Sequence, residues 1–378
     1  MLTDGKSAGR QSIAGGRNDD ARQCGCASAW CALLVVASGA LLSGCGVTYL
    51  AQAARGQFSL MNARQPVERL LARPATTGSL RTQLEQVQRI RDFASRELGL
   101  PDNASYRSYA DIKRPYVVWN VVATPEFSVA PRTWCFPVAG CVAYRGYFSE
   151  AAAKAFAATL RQRGDDVVVG GVPAYSTLGR FADPVLSTMT GYGELDLAAM
   201  IFHELAHQVA YLPGDSSFNE AFATTVEEAG LTRYAASRGT ADALSTWLAR
   251  RASRAQVTEL FVVKRRELAS LYAAGGPPET LRAKKAQQLA SLAAEIRAFE
   301  QRSGRPSGYR SWIEAGLNNA HLASVATYFE QGPFFEGLLA EQGGDLPRFY
   351  REVKELVALR RAETKGPRRR HTPPGPRA

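Results

Sequence analysis

Five consecutive residues constrain this chain more than any other feature. In His203-Glu-Leu-Ala-His207 two imidazoles stand four positions apart, a spacing that puts them on one helix face, within reach of a single ion. The flanks are helical in character. Ala198-Ala-Met-Ile-Phe202 precedes and Gln208-Val-Ala-Tyr211 follows, with no breaker before Pro213, so a helix is predicted from Leu195 to Tyr211. Glu204 falls beside both imidazoles, close enough to act as general base on a metal-activated water.

A hydrolytic zinc site needs a third protein ligand and leaves its fourth position to water. Twelve residues separate His207 from Glu220, which stands in Phe218-Asn-Glu-Ala-Phe-Ala223. Pro213, Gly214, Asp215 and Ser216 supply a turn, so a second helix, Phe218 to Gly230, returns antiparallel to the first. The expected site is one Zn2+ per chain on His203, His207 and Glu220. Glu227 and Glu228 share the second helix and are alternative third ligands. Thr224 or Glu227 would instead orient a ligand from behind. Tyr328 is the preferred stabiliser of the developing oxyanion and His321 the second choice.

His203-Glu-Leu-Ala-His-Gln208, followed by Asn219-Glu-Ala-Phe-Ala223 and Val226-Glu227, resembles the zinc site of gluzincin aminopeptidases of the aminopeptidase N type. The resemblance implies His203, His207 and Glu220 as zinc ligands and Glu204 as base, and it covers Leu195 to Gly230. This chain departs in its shorter gap before Glu220 and in lacking a Gly-x-Met-Glu-Asn segment, which in that family recognises the substrate's free amine. The whole chain is more similar to a small bacterial family of putative aminopeptidases with a lipoprotein leader. That resemblance implies an exopeptidase acting on peptides. The residues themselves indicate a metallohydrolase, leaving a zinc endopeptidase or other amide hydrolase open. A non-catalytic envelope scaffold with a structural metal is the reading from another class. A structural zinc would use a fourth protein ligand, and no cysteine or further histidine lies close by.

The start of the chain sets the expected compartment. Ala27 to Gly44 is an apolar run after a basic segment, ending in Leu42-Ser-Gly-Cys45. This order reads as a signal peptide, residues 1–44, and the tetrapeptide resembles the lipobox of bacterial lipoproteins. That implies a lipid on Cys45, and Gly46 next to it implies the outer membrane, facing the periplasm. An uncleaved anchor helix is the alternative, and the long polar stretch before the run suggests a start placed too early. Of the six cysteines, only Cys135 and Cys141 remain for the body. With Pro137 and Gly140 between them they suit a disulfide-bridged loop in an oxidising compartment; buried thiols are the alternative.

Between leader and tail one zincin-like domain is expected, residues 45–361. It divides into N-terminal helices (45–100), a sheet-containing part (101–190) and a helical part with the metal site (191–361). Helical spacing recurs in Leu80, Leu84, Val87, Ile90 and Phe93. Tyr116–Val122, Cys141–Tyr144 and Asp166–Val169 read as strands, with a helix from Ser149 to Gly164 before the last. Helices are expected at Ala241–Arg254, through Val257–Arg302 with a break at Gly275, at Asn319–Leu339 and at Leu346–Arg361. The fold class is α+β, mainly helical, with a small mixed sheet packed on the histidine helix. Ala174–Gly179 is a candidate edge strand for pairing with an extended peptide. The net charge of +11 suggests nucleic acid only until it is located. Seven basic residues stand against Glu363 between Arg360 and Ala378, so most of the excess lies in a tail (362–378) expected to be disordered. No nucleic-acid partner is expected. Oligomeric state is not legible.

Overall fold

The computed structural model describes residues 48–136, 140–174, 176–326 and 332–365. The leader, Cys45, Tyr328 and the tail beyond residue 365 lie outside them. The chain divides into two units, Met1–Ala54 and Arg55–Ala378. In the first, residues 48–54 are helical; the elements that follow belong to the second.

The described residues form a mainly helical α+β protein. Helix Gly78–Arg96 buries Leu84, Val87 and Ile90 along the expected apolar stripe. Two helices then carry the paired histidines and the following glutamate: Glu194–Val209, the histidine helix, and Ser216–Arg238, the glutamate helix. Both bury into one core with Leu98, Phe202, Phe218 and Phe222. Phe335 and Phe349, from the C-terminal helices Gly332–Glu341 and Leu346–Lys365, stack beneath the glutamate helix against Phe222. Each such ring removed from water contributes about 2–3 kcal/mol. The last helix runs through Lys365, four residues into the segment expected to be tail.

The strands differ in arrangement from the single mixed sheet expected. β1 (Arg64–Pro66), β2 (Ser108–Ala110) and β8 (Val185–Leu186) form one sheet, order β1-β2-β8. β3 (Val118–Thr124), β6 (Arg145–Tyr147) and β7 (Asp166–Val172) form an antiparallel sheet, order β6-β3-β7. β4 (Trp134–Phe136) and β5 (Gly140–Val142) pair as a hairpin, with Cys135 opposite Cys141 and their sulfurs bonded. Helix Glu150–Gln162 connects β6 to β7 across β3 and packs on that sheet. Ala110, Val185 and Leu186 share the core of the histidine helix. They come from strands of two and three residues, too short to show a period of two, which is why sequence patterning placed the sheet elsewhere.

A second core lies away from the histidines. Helix Ala241–Ala274 is continuous where two helices were expected, since nothing between Arg254 and Val257 breaks it. It turns at Gly275, whose φ is 70°, into helix Pro278–Ser303. Val257, Phe261, Leu268, Leu292 and Ile296 fill the space between them, together with Leu322 of helix Asn319–Ala326. Ala320 and Ala323 of that short helix also pack on Val122 and Val168 of the sheet. Among the described residues no helix is long and apolar enough to cross a membrane.

Candidate metal centre

The turn between the two site helices sets the geometry. The histidine helix ends at Val209 because Ala210 is extended, with φ −148° and ψ 136°, so Tyr211 lies beyond the helix expected to include it. Asp215 caps the next helix, its side chain accepting from the Phe218 N–H at 3.0 Å. Asn219 clamps the turn: its Oδ1 accepts from Leu212 N at 2.7 Å and its Nδ2 donates to Leu212 O at 2.9 Å. A buried asparagine spanning both backbone groups of one residue fixes the return angle and brings Glu220, its neighbour, over the imidazoles. Farther along, Gly230 lets the helices close. A Cβ there would meet Leu98 at 2.8 Å and Phe202 at 2.9 Å.

His203, His207 and Glu220 converge, with one ligand-type atom from each lying within 4.8 Å of the others. His203 Nε2 is 3.2 Å from Glu220 Oε2, and His207 Nε2 is 3.7 Å from Glu220 Oε1. The imidazole rings stand edge to face, 4.8 Å between centroids. Ligand atoms at the corners of a tetrahedron with bonds of about 2.1 Å lie about 3.4 Å apart, so both separations suit one small cation. The donor set, two imidazoles and a carboxylate, suits a borderline metal better than a hard one. These three residues could therefore hold a metal ion.

Electrostatics sort the two histidines. Burial works to lower the pKa of His203, but hydrogen bonds to Glu220 and Glu227 outweigh it and hold the ring well above 6.5. Without a cation the contact at Nε2 needs a proton; a metal would stand in that proton's place. His207 is pushed down to about 4, by burial first and the charge of His203 second, so it stays neutral, as a ligand must. Its Nδ1 is buried with no hydrogen-bond partner among the described residues. Burial alone would raise Glu220, yet its contacts with His203 and His207 bring it below the usual carboxylate range.

Glu204 is half-buried beside them. Burial raises its pKa to about 7; the charge of His203 opposes this, and those of Glu220, Asp183 and Glu227 add to it. Asp183 is itself buried and raised to about 6, although Thr177 donates to it from both N and Oγ1. Around that pairing Leu178 and Gly179 form a turn, and no strand is present at the described residues 174 and 176–179 where an edge strand was expected. Leu178 and Gly179 take φ of 58° and 74°, and Gly179 rests on Gln208.

Glu227 does not join the three ligand-type groups. Its Oε2 lies 3.0 Å from Nδ1 of His203, the nitrogen on the far side of the ring, which matches the orienting role weighed for it. Glu228 is turned to Arg251. His321 is elsewhere: its ring lies 4.7 Å from that of Trp312 and its Nδ1 meets Asn318, so it is not part of this centre. Sequence reasoning missed Tyr211. Its ring stands edge-on to His207 at 6.2 Å, and burial first, then the charge of Glu220, raises its pKa. Arg361 holds its carbonyl at 2.7 Å. A signal was present, since Pro213 shortens any helix expected to reach Tyr211. The disulfide hairpin reaches the same turn: a Cβ on Gly140 would lie 2.7 Å from Gly214 N. A separate cleft of about 570 Å3, lined by Glu126, Asp166, Arg282, Lys285 and Arg297, contains none of these groups. There Arg282 pairs with Glu126 and Lys285 with Asp166.

A family model described as "Putative aminopeptidase" matches residues 48–366. No curated protein and no solved structure matches the chain.

Proposed function

Since this chain belongs to the putative aminopeptidase family, we propose that it is a zinc-dependent aminopeptidase of zincin type. One observation carries the proposal: His203, His207 and Glu220 converge from two helices, and Glu204 projects from the same turn as His203. Zinc, when bound, supplies Lewis acidity, polarising a carbonyl and acidifying water.

The chain's own groups supply the rest. His203, His207 and Glu220 would hold the ion. Glu204 takes a proton on its carboxylate from the attacking water and returns it to the departing amine. Its desolvated setting suits it to exchange protons near neutral pH. Tyr211, whose ring packs on that of His207, would donate its hydroxyl toward the developing oxyanion; Tyr328, read from sequence for that role, lies outside the described residues. The reading extends to the leader: Cys45 as lipid anchor in the outer membrane, with the enzyme facing the periplasm, where the Cys135–Cys141 bridge would persist.

The test is metal analysis of the purified chain followed by hydrolysis of aminoacyl amides and of peptides with a blocked amine. Stoichiometric zinc and cleavage of free-amine substrates alone are expected, with Glu220→Ala losing the metal. Cleavage of blocked peptides makes it an endopeptidase. Zinc without hydrolysis of either leaves a scaffold with a structural ion.

A further inference from the structure

A chain of contacts leads away from the ligand cluster into a different helix. Glu227 sends Oε2 to Nδ1 of His203 at 3.0 Å and receives Nη1 of Arg251 on Oε1 at 2.9 Å. Arg251 comes from helix Ala241–Ala274. Its Nε contacts Glu228, and its guanidinium lies over the Trp247 ring, 5.2 Å from the centroid. Trp247 is tied in turn to the histidine helix, its Nε1 donating to Asp196 Oδ1 at 3.0 Å. The guanidinium is therefore held on three sides, by two carboxylates and an indole.

This arrangement bears on what His203 can do. An imidazole offers a lone pair to a cation at one nitrogen when its proton sits on the other, and the group hydrogen-bonded at the far nitrogen decides which. Glu227 accepts at Nδ1 and so leaves Nε2 for the ion. A carboxylate with one partner can rotate about its last bond. A carboxylate held at its other oxygen by an N–H of an arginine that is itself anchored to a second carboxylate cannot turn without breaking a charge-assisted bond.

We propose that Arg251 is a positioning residue for the metal site, acting through Glu227 to fix the ring of His203 with Nε2 toward the ion. The metallopeptidase reading enters only in making that ion zinc. The long helix thereby links the second hydrophobic core to the metal site, since Val257 and Phe261 bury on the same element. An ordinary half-exposed ion pair would contribute little and would not alter metal affinity.

The test uses the full chain. Zinc affinity is measured by chelator competition for wild type, Arg251→Met, Arg251→Lys, Glu227→Gln and Arg251→Met/Glu227→Gln. The remote Arg282→Met serves as a control of equal charge change. In the metal-free protein, NMR follows the hydrogen-bonded Nδ1 proton of His203. About tenfold weaker zinc binding is expected for Arg251→Met, and ten- to a hundredfold for Glu227→Gln. The double variant should match Glu227→Gln alone, because the arginine acts through the glutamate, and Arg282→Met should bind as wild type. The Nδ1 proton should be protected from exchange in wild type and exposed in Arg251→Met. If Arg251→Met does not fold, Arg251→Lys decides: it keeps the charge, loses the fork, and should still bind zinc several-fold more weakly. Wild-type affinity in a folded Arg251 variant overturns the inference. So do fully additive losses in the double variant. If wild type binds no zinc, the metallopeptidase reading fails, and the exchange of the Nδ1 proton alone then supports or overturns the link from Arg251 to His203.

Discussion

His203 is a half-buried imidazole and His321 a buried one, set into two regions that treat them in opposite ways. His203 lies between two carboxylates, Glu220 at Nε2 and Glu227 at Nδ1. His321 lies in the second region, its ring against Trp312, with the Asn318 backbone N–H donating to its Nδ1 at 3.1 Å. Negative groups on both sides favour a positive centre, whether a proton or a metal ion. Asn318 presents both that N–H and its side-chain oxygen, 2.9 Å away, to the same nitrogen, a contact that carries no net charge. Burial, opposed by the hydrogen bond with Asn318 and assisted by the charge of Arg161, lowers His321 to about 4, while His203 is held well above 6.5. In these two rings burial acts in the same direction, and the carboxylates around His203 make the difference.

The largest effect that can break this contrast concerns Glu204. Replacing it by Gln keeps the shape and removes the proton acceptor while leaving His203, His207 and Glu220 in place. Zinc content should be unchanged and kcat should fall by about 10³- to 10⁴-fold. Hydrolysis within tenfold of wild type would remove Glu204 from the mechanism.

The next effect belongs to the second region and appears in stability. His321 is depressed in the folded protein, from 6.5 to about 4. It therefore binds fewer protons folded than unfolded at intermediate pH, and its contribution is fully present above about 6.5 and is lost as pH falls through about 4. The span is worth about 3 kcal/mol at most. Urea unfolding of wild type and His321→Gln, compared at pH 7 and pH 4, should show an acid loss smaller by up to that amount in the variant. Zinc affinity at pH 7 should be equal in the two. Reduced zinc binding by His321→Gln would join the regions that the geometry separates.

The same contrast explains what was legible in the sequence. His203, His207 and Glu220 are close in the chain and lie on elements of strong helical character, so a spacing rule sufficed to bring them together. Asn219 was visible as a motif letter, but its clamp on Leu212 is a tertiary fact. Arg251 lies twenty-four residues past Glu227 on a different helix, and no local pattern aims it at Glu227. Tyr211 was absorbed into a helix that stops two residues earlier, because propensity does not locate the end at which Ala210 becomes extended. For the strands, β3 and β7 are seven residues long and readable, whereas β2 and β8, which share the core with the site, are not.

Two tyrosines give the smallest and sharpest test of the comparison. Tyr272 in the second region donates to Asn319 Oδ1 at 3.0 Å, and burial raises it to about 12. Its hydroxyl serves the fold. Removing it as Tyr272→Phe leaves the Asn319 oxygen short of a donor and should cost about 1–2 kcal/mol of stability, with kcat and zinc affinity unchanged. The side chain of Tyr211 makes no such bond among the described residues, and its ring faces His207. Tyr211→Phe should leave stability within about 0.5 kcal/mol and lower kcat by about 10²-fold, the lower end for loss of one donor to an oxyanion. The fall should appear in kcat more than in KM, since the bond would form only as charge develops. Equal kcat in Tyr211→Phe and wild type would return the oxyanion role to a residue outside those described here, Tyr328 first among them, and leave Tyr211 as packing against the metal ligand.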